Sequence, residues 1–132
     1  MTILAPIDGS DASFRALEYA IDMAQRRNTT VQVIHVTDHQ TESTERLVDR
    51  ARGMLIDAEI GGDVEVVTRF GTFRNSSSVG NAIVEIVRED GYEHVVVGHH
   101  RTGKVGRILL GSAAREIINA DEVPVTVVPS EE

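Results

Sequence analysis

The chain of 132 residues carries 21 acidic and 13 basic side chains, and its formal net charge of −8 argues against nonspecific binding to nucleic acids or anionic membranes. The absence of cysteine excludes disulfides, thiolate metal ligands and cysteine nucleophiles. The N-terminus lacks a basic leader and no apolar run is long enough to span a bilayer, which predicts a cytoplasmic protein without a membrane segment. We expect one domain over residues 1–132, because a chain of this length buries roughly two-thirds of its unfolded surface.

The basic residues are almost all arginines, since Lys104 is the single lysine among 13 basic side chains. An acidic excess with little lysine is typical of salt-loving microbes, whose ionic strength screens the repulsion between carboxylates. A GC-rich genome with an ordinary acidic bias gives the same composition. Both explanations stay open at the level of the sequence.

The first half of the chain alternates apolar strands with amphipathic helices. Residues 2–7 form an apolar run that is typical of a strand buried on both faces. Ser10 is a plausible N-cap for a helix that ends near Asn28 and buries Phe14, Leu17, Ile21 and Ala24. A second strand follows over residues 31–36, then a polar loop over residues 38–43. The second helix buries Leu47, Val48, Ala51, Met54, Leu55 and Ala58 and stops at Gly61-Gly62.

The second half repeats the alternation. Residues 64–70 alternate apolar and polar side chains as an edge strand does, and the Ser-rich residues 71–80 predict a loop. A third helix closes at Gly91, a fourth strand covers residues 94–97 and breaks at Gly98, and a fourth helix contains Ala113, Ala114, Ile117 and Ile118. The last strand, from Val123 to Val128, is bracketed by prolines and is therefore an edge. Five strands and four helices in alternation predict an α/β protein with a parallel sheet covered on both faces.

Residues 98–112 join the fourth strand to the fourth helix and are a candidate phosphate site. Gly98 lacks a Cβ, so a ligand can approach the backbone, and Gly111-Ser112 places N–H donors at a helix N-terminus. An ordinary strand-to-helix loop with a Gly-Ser cap is the alternative explanation. Residues 98–104 also fit the P-loop pattern, but Val105 stands where a Ser or Thr must bind Mg²⁺, so we reject a Walker P-loop.

The histidines and serines give no clear catalytic or metal site. The adjacent His99 and His100 point opposite ways on an extended segment, and no other ligands follow at zinc-like spacing near them, His35 or His94. No Ser/His/Asp set can be assembled. We therefore expect no dedicated metal site and no nucleophile–base pair for catalysis.

The glycine loop carries a more specific pattern. Gly98-x₂-Arg101-x₉-Gly111-Ser112 resembles the ATP-binding signature G-x₂-G-x₉-G-[ST] of the universal stress protein family, with its spacing intact. The opening ILAPIDGSDAS, the pair His35-Val36 and the closing VPVTVVP resemble other parts of that family. The resemblance covers nearly the whole chain.

This resemblance implies a doubly wound, Rossmann-like sheet of the adenine nucleotide α-hydrolase type, with strand order 3-2-1-4-5. It also implies a homodimer formed by pairing the last strands and, as in one branch of the family, bound ATP, with Mg²⁺ or Mn²⁺ carried by the phosphates. The base and ribose would contact Pro6, Ile7, Asp8, Val36 and Val97. The phosphates would contact Gly98, His100, Arg101, Gly111, Ser112, Ala113 and Ala114. Asp8 would accept a hydrogen bond from the nucleoside, and a turn or cap role is its alternative.

Arg101 departs from the family pattern, which has glycine at that position. Its side chain could obstruct a phosphate, bind one through the guanidinium fork, or lie over the site and replace the ligand's contacts. The resemblance thus implies a small cytoplasmic ATP-binding dimer that acts in the stress response by a change of conformation or partner. A nucleotide-free dimerisation and interaction module is the main alternative, and a weak ATPase is the third.

Overall fold

The computed structural model describes residues 2–68, 78–99 and 112–129. The five strands pair in parallel in the order β3-β2-β1-β4-β5. The elements are β1 Thr2–Pro6, α1 Asp11–Arg27, β2 Thr30–Thr37, α2 Glu42–Asp57, β3 Gly62–Thr68, α3 Val79–Asp90, β4 His94–His99, α4 Ser112–Ala120 and β5 Val125–Pro129. The predicted α/β class, the order 3-2-1-4-5 and the two edge strands are confirmed. No helix in the described ranges combines the length and apolar character that a bilayer span requires.

The sheet separates two apolar cores. Ile3 and Ala5 of the central strand β1 pack on the side of α1 and α2, and Leu4 packs on the side of α3 and α4. Because strand side chains alternate between faces, a strand buried on both sides must be apolar at every position. The four residues predicted to form the buried face of α1 are buried, namely Phe14, Leu17, Ile21 and Ala24.

Three helix ends lie where the sequence predicted them. The Ser10 hydroxyl accepts a 3.1 Å hydrogen bond from the Ser13 backbone N–H at the start of α1. Asn28 ends that helix with a left-handed φ of 56°, and Gly91 ends α3 with a φ of 69°. These residue types favour such ends because serine offers a hydroxyl acceptor, and asparagine and glycine tolerate positive φ.

The second helix and the third strand differ from the prediction. α2 begins at Glu42, inside the predicted loop, because the Thr44 hydroxyl accepts from the backbone N–H of Thr41 at 3.1 Å and fixes the first turn. The helix ends at Asp57, before the glycine pair. Gly62 does not stop the helix but begins β3 with a φ of 138°, which a glycine tolerates.

The fourth and fifth strands also have different limits. β4 continues through Gly98 to His99, where the prediction had a break at Gly98, because Gly98 pairs with Val128 of β5. β5 begins at Val125 and not at Val123. Pro124 has no N–H to donate, but its carbonyl accepts from the Val95 backbone N–H at 3.0 Å. Most of the predicted loop over residues 71–80 lies outside the described residues.

Candidate functional site

A cavity of about 100 Å³ lies where the carboxyl ends of β1, β2 and β4 meet α3 and α4. We call it the switch-point cavity, because β1 and β4 are neighbours at the position where the strand order reverses. Eight of the predicted ligand residues line it, namely Pro6, Ile7, Asp8, Val36, Val97, Gly98, Ala113 and Ala114. His100, Arg101 and Gly111 lie outside the described residues, and Ser112 is the first residue of α4. The fold therefore brings these eight predicted ligand residues together at one cavity.

The wall of the switch-point cavity is mainly apolar, and Asp8 and Ser13 supply polar groups. One carboxylate oxygen of the exposed Asp8 accepts a 2.9 Å hydrogen bond from the Ser10 backbone N–H. Asp8 therefore has the turn role that the sequence offered as an alternative. A carboxylate has two oxygens and several acceptor positions, so this turn role is compatible with a ligand contact.

The sequence prediction missed four lining residues, Ser13, Val79, Ile83 and Ile117. Ile83 and Ile117 are buried on the apolar faces of α3 and α4. Their periodicity marks them as core residues but carries no signal that they also border a cavity. The buried Ser13 donates its hydroxyl proton to the Ser10 carbonyl at 2.9 Å, so only its lone pairs remain for a ligand.

Gly98 forms part of this wall for a reason that the sequence did not reveal. A Cβ on Gly98 would lie 2.6 Å from the carbonyl carbon of Ala12 and 3.0 Å from the backbone nitrogen of Ser13. The missing side chain therefore allows the first turn of α1 to pack on β4. The sequence suggested ligand approach as the reason for this glycine.

A partly buried hydrogen bond joins α3 and α4, the two helices that line the cavity. The Ser78 hydroxyl accepts from the Asn81 backbone N–H at 3.1 Å, as the N-cap of α3, and donates to a carboxylate oxygen of Glu116 in α4 at 2.7 Å. A hydroxyl can do both at once because it has one proton and two lone pairs. This pair fixes α3 against α4 beside Val79 and Ala113.

His35 and His94 have separate hydrogen-bond partners. His35 Nδ1 lies 2.8 Å from the Ile7 carbonyl oxygen, and His94 Nε2 lies 2.6 Å from the Thr126 hydroxyl. Burial lowers the pKa of His94, and the nearby Arg27 charge lowers it further. His94 and the buried His99 stand at opposite ends of β4. Within the described ranges no three His, Cys, Asp or Glu side chains are grouped to hold a metal ion.

A doubly wound sheet with a cavity beyond its carboxyl ends defines a class of α/β proteins that bind ligands at this place. The sequence model of the universal stress protein family matches residues 1–129. The chain belongs to the universal stress protein family.

Two relatives agree with this assignment along most of the chain. Universal stress protein A of Escherichia coli (strain K12) is 29% identical over 136 residues, which cover 96% of this chain and 92% of that protein. The universal stress protein MJ0531 of Methanocaldococcus jannaschii is 29% identical over 96% of this chain and 80% of its own length.

Two solved structures share the fold. A universal stress protein in complex with cAMP has a TM-score of 0.78 and 22% identity, covering 99% of this chain and 98% of its own. The universal stress protein from Archaeoglobus fulgidus in complex with dAMP has a TM-score of 0.74 and 20% identity, covering 97% of each chain. At these identities the likeness establishes the architecture.

Proposed function

We propose that the chain is a nucleotide-binding universal stress protein that holds an adenine nucleotide, ATP above all, in the switch-point cavity. The observation that carries this proposal is the convergence of Asp8, Val36, Val97 and Ala114 on one cavity. Two proteins of the same fold were solved with cAMP and dAMP. The fold and family support the proposal, since ligands of doubly wound sheets bind at this position.

The chemistry of the wall suits a nucleoside. Its apolar side chains match the faces of a base, and the Asp8 carboxylate can accept hydrogen bonds from ribose hydroxyls. The volume of about 100 Å³ is well below the roughly 300–1,000 Å³ of ordinary ligand pockets, so the cavity suits a base better than a whole nucleotide. The phosphates would extend toward residues 98–112 and the amino end of α4, with Mg²⁺ or Mn²⁺ bound to their oxygens.

A nucleotide-free dimerisation and interaction module is the second candidate. The small volume of the switch-point cavity favours it, and so does Arg101, which replaces the middle glycine of the signature. Mass spectrometry of small molecules released from freshly purified protein separates the two candidates. A released adenine nucleotide supports the first, and its absence together with failed titrations supports the second.

Calorimetric titration with ATP in high salt tests the leading proposal directly. We expect saturable binding at micromolar to sub-millimolar ATP, and no saturation up to several millimolar would contradict it. Asp8→Ala should weaken binding about tenfold, the value of a hydrogen bond to a charged group. Asp11→Ala is the matched control, because it removes the same charge from the first turn of α1 without touching the cavity. Ala114→Leu should abolish binding by filling the buried wall.

Arg101→Gly restores the family signature and reports what the arginine does. A gain in ATP affinity shows that the side chain obstructs the phosphates, and a loss shows that it binds them. A turnover assay with and without Mg²⁺ or Mn²⁺ tests the weak-ATPase alternative.

We also propose that the dimer forms through β5. This strand is at the edge of the sheet beside β4, and Val125, Thr126 and Val127 are only half-buried there. An edge strand with apolar side chains needs a cover. Sedimentation velocity in high salt should give a dimer, and a monomer would contradict the proposal. The biological output would then be a change of conformation or partner on nucleotide binding.

A further inference from the structure

A second and larger opening lies on the opposite face of the sheet. This cleft of about 520 Å³ lies between α2 and the carboxyl ends of β1 and β2, and we call it the α2 cleft. His35 and Thr37 face it, whereas Val36 between them faces the switch-point cavity, as side chains alternate along a strand. Asp8 borders both openings. The volume lies within the range of small-molecule sites.

Two arginines give the α2 cleft its charge. Arg46 and Arg50 are four residues apart on α2, so they share one face of the helix, and both line the cleft. Among the described residues neither forms an ion pair with a carboxylate, whereas Arg26, Arg52 and Arg88 do. Two neighbouring guanidinium groups with no carboxylate ion pair in the part of the chain that the structure describes are unexpected at a net charge of −8.

The guanidinium of Arg50 is held in place by stacking. Its Cζ lies 3.8 Å from the centroid of the buried Phe14 ring. Stacking on an aromatic ring uses the face of the guanidinium and leaves the N–H donors in its plane for an acceptor. The Arg46 Nη2 donates to the Ser43 hydroxyl at 3.2 Å, which orients the second group.

Hydroxyl groups supply the neutral hydrogen-bond donors of the cleft. A carbonyl can only accept, so His35 donates from Nδ1 to the Ile7 carbonyl, and in the neutral tautomer that this bond selects Nε2 is an acceptor that offers an anion no hydrogen. Thr44 and Ser43 add hydroxyls to the lining. Asp8 is the single carboxylate among the described lining residues, so positive charge exceeds negative charge in the cleft.

We infer that the α2 cleft binds a small phosphate monoester, with Arg46 and Arg50 as the residues that contact its phosphate. Two guanidinium forks match phosphate oxygens in geometry as well as charge. This site is separate from the proposed nucleotide site, on the other face of the sheet.

Calorimetric titration with glycerol phosphate and inorganic phosphate, at constant KCl and without nucleotide, tests the inference. We expect saturable binding to the unaltered protein. Arg46→Gln and Arg50→Gln should each raise Kd about tenfold and together abolish binding, since each removes a charge-assisted contact. Arg52→Gln is the matched control: it removes the same charge from the same helix, but its partner is Asp63 and it lies outside the cleft.

The outcomes separate this inference from the proposed function. No saturable binding to the unaltered protein overturns it, and so does equal binding by the double variant, which would assign the phosphate to another part of the chain. Equal weakening by Arg52→Gln overturns it as well, because the effect would then be one of net charge. Ala114→Leu should retain phosphate binding while losing ATP. If ATP binding were lost in the Arg46→Gln, Arg50→Gln double variant, the cleft would belong to the nucleotide site and the inference would fall.

Discussion

Gly98 of β4 lies directly against the backbone of Ala12, so that the first turn of α1 rests on the strand with no side chain between them. This close contact sets the spacing of the switch-point cavity, because Gly98, Ser13 and Asp8 all belong to its wall. A single missing Cβ therefore determines how closely the first turn of α1 approaches β4.

Gly98→Ala should destabilise the protein. The added Cβ would lie 2.6 Å from the Ala12 carbonyl carbon, so the backbone of α1 or β4 would have to shift. Overpacking of this kind costs roughly 1–3 kcal/mol, which urea denaturation should detect as a lower midpoint with an unchanged slope.

Gly53→Ala supplies the matched control for that experiment. Gly53 lies inside α2, and a Cβ there would meet no atom within 4 Å. Replacing a helical glycine by alanine should raise stability by about 0.5–1 kcal/mol. We expect the free energy of unfolding to fall in Gly98→Ala and to rise in Gly53→Ala. An unchanged stability of Gly98→Ala would show that α1 can move away from β4.

Ser78→Ala should cost more stability than Ser10→Ala. Both serines are N-caps, and loss of such a cap costs about 1 kcal/mol. Ser78 alone also donates to Glu116 in α4, at 2.7 Å. Denaturation of both variants provides the comparison, and we expect Ser78→Ala to lose roughly 1 kcal/mol more.

A double-mutant cycle separates the cap from the contact between helices. Glu116→Ala combined with Ser78→Ala should give a coupling energy of about 0.5–3 kcal/mol. A coupling near zero would contradict the role assigned to this pair. The proposed function adds a second readout, because Val79 and Ala113 beside the pair line the switch-point cavity and ATP affinity should fall with it.

The sequence predicted those parts of the fold that depend on periodicity and on single local residues. The buried face of α1, the caps at Ser10 and Gly91, and the edge position of the proline-flanked last strand follow from local rules. The strand limits that were predicted wrongly depend on contacts between residues far apart in the sequence. β4 continues past Gly98 because Val128, 30 positions further along the chain, pairs with it.

The candidate site was predictable only where a family pattern or a strand end marked it. Asp8 follows β1, Val36 and Val97 lie near the carboxyl ends of β2 and β4, and parallel strands bring their carboxyl ends together. Ile83 and Ile117 lie inside helices, where an apolar residue that borders a cavity and one that fills a core look alike. The contact of Arg50 with Phe14 joins residues 36 positions apart and leaves no local signal.

His94 should make stability depend on pH. Burial, and then the Arg27 charge, hold the pKa of His94 below its ordinary value near 6.5, so the folded protein favours the neutral ring. When the pH falls below about 6.5, His94 binds a proton more readily in the unfolded chain than in the folded chain, so the free energy of unfolding decreases until the pH reaches the lowered pKa of the folded state. Above about pH 6.5 the ring is neutral in both states and no stability is lost by this route.

Denaturation midpoints of the unaltered protein and His94→Gln, followed from pH 8 to about 5, test this dependence. Glutamine can keep a hydrogen bond to Thr126 but does not titrate. The difference between the two curves should shrink as the pH falls below about 6.5, because only the histidine protein loses stability by this route. Parallel curves of the two midpoints against pH would show that His94 does not contribute to the pH dependence of stability.

Added salt should raise the melting temperature. The net charge of −8 makes the folded chain repel itself, and the screening length falls from about 10 Å at 0.1 M salt to about 3 Å at 1 M. Salt also weakens ion pairs, but those of Arg26, Arg52 and Arg88 are solvent-exposed and worth about 0–1 kcal/mol each. Because the repulsion extends over the whole surface, its relief should dominate, and a net gain of about 1 kcal/mol would raise the melting temperature by roughly 4 °C. Melts in KCl, compared with sucrose of equal osmolality, separate screening from solvent exclusion, and a lower melting temperature in KCl would mean that the attractive pairs dominate instead.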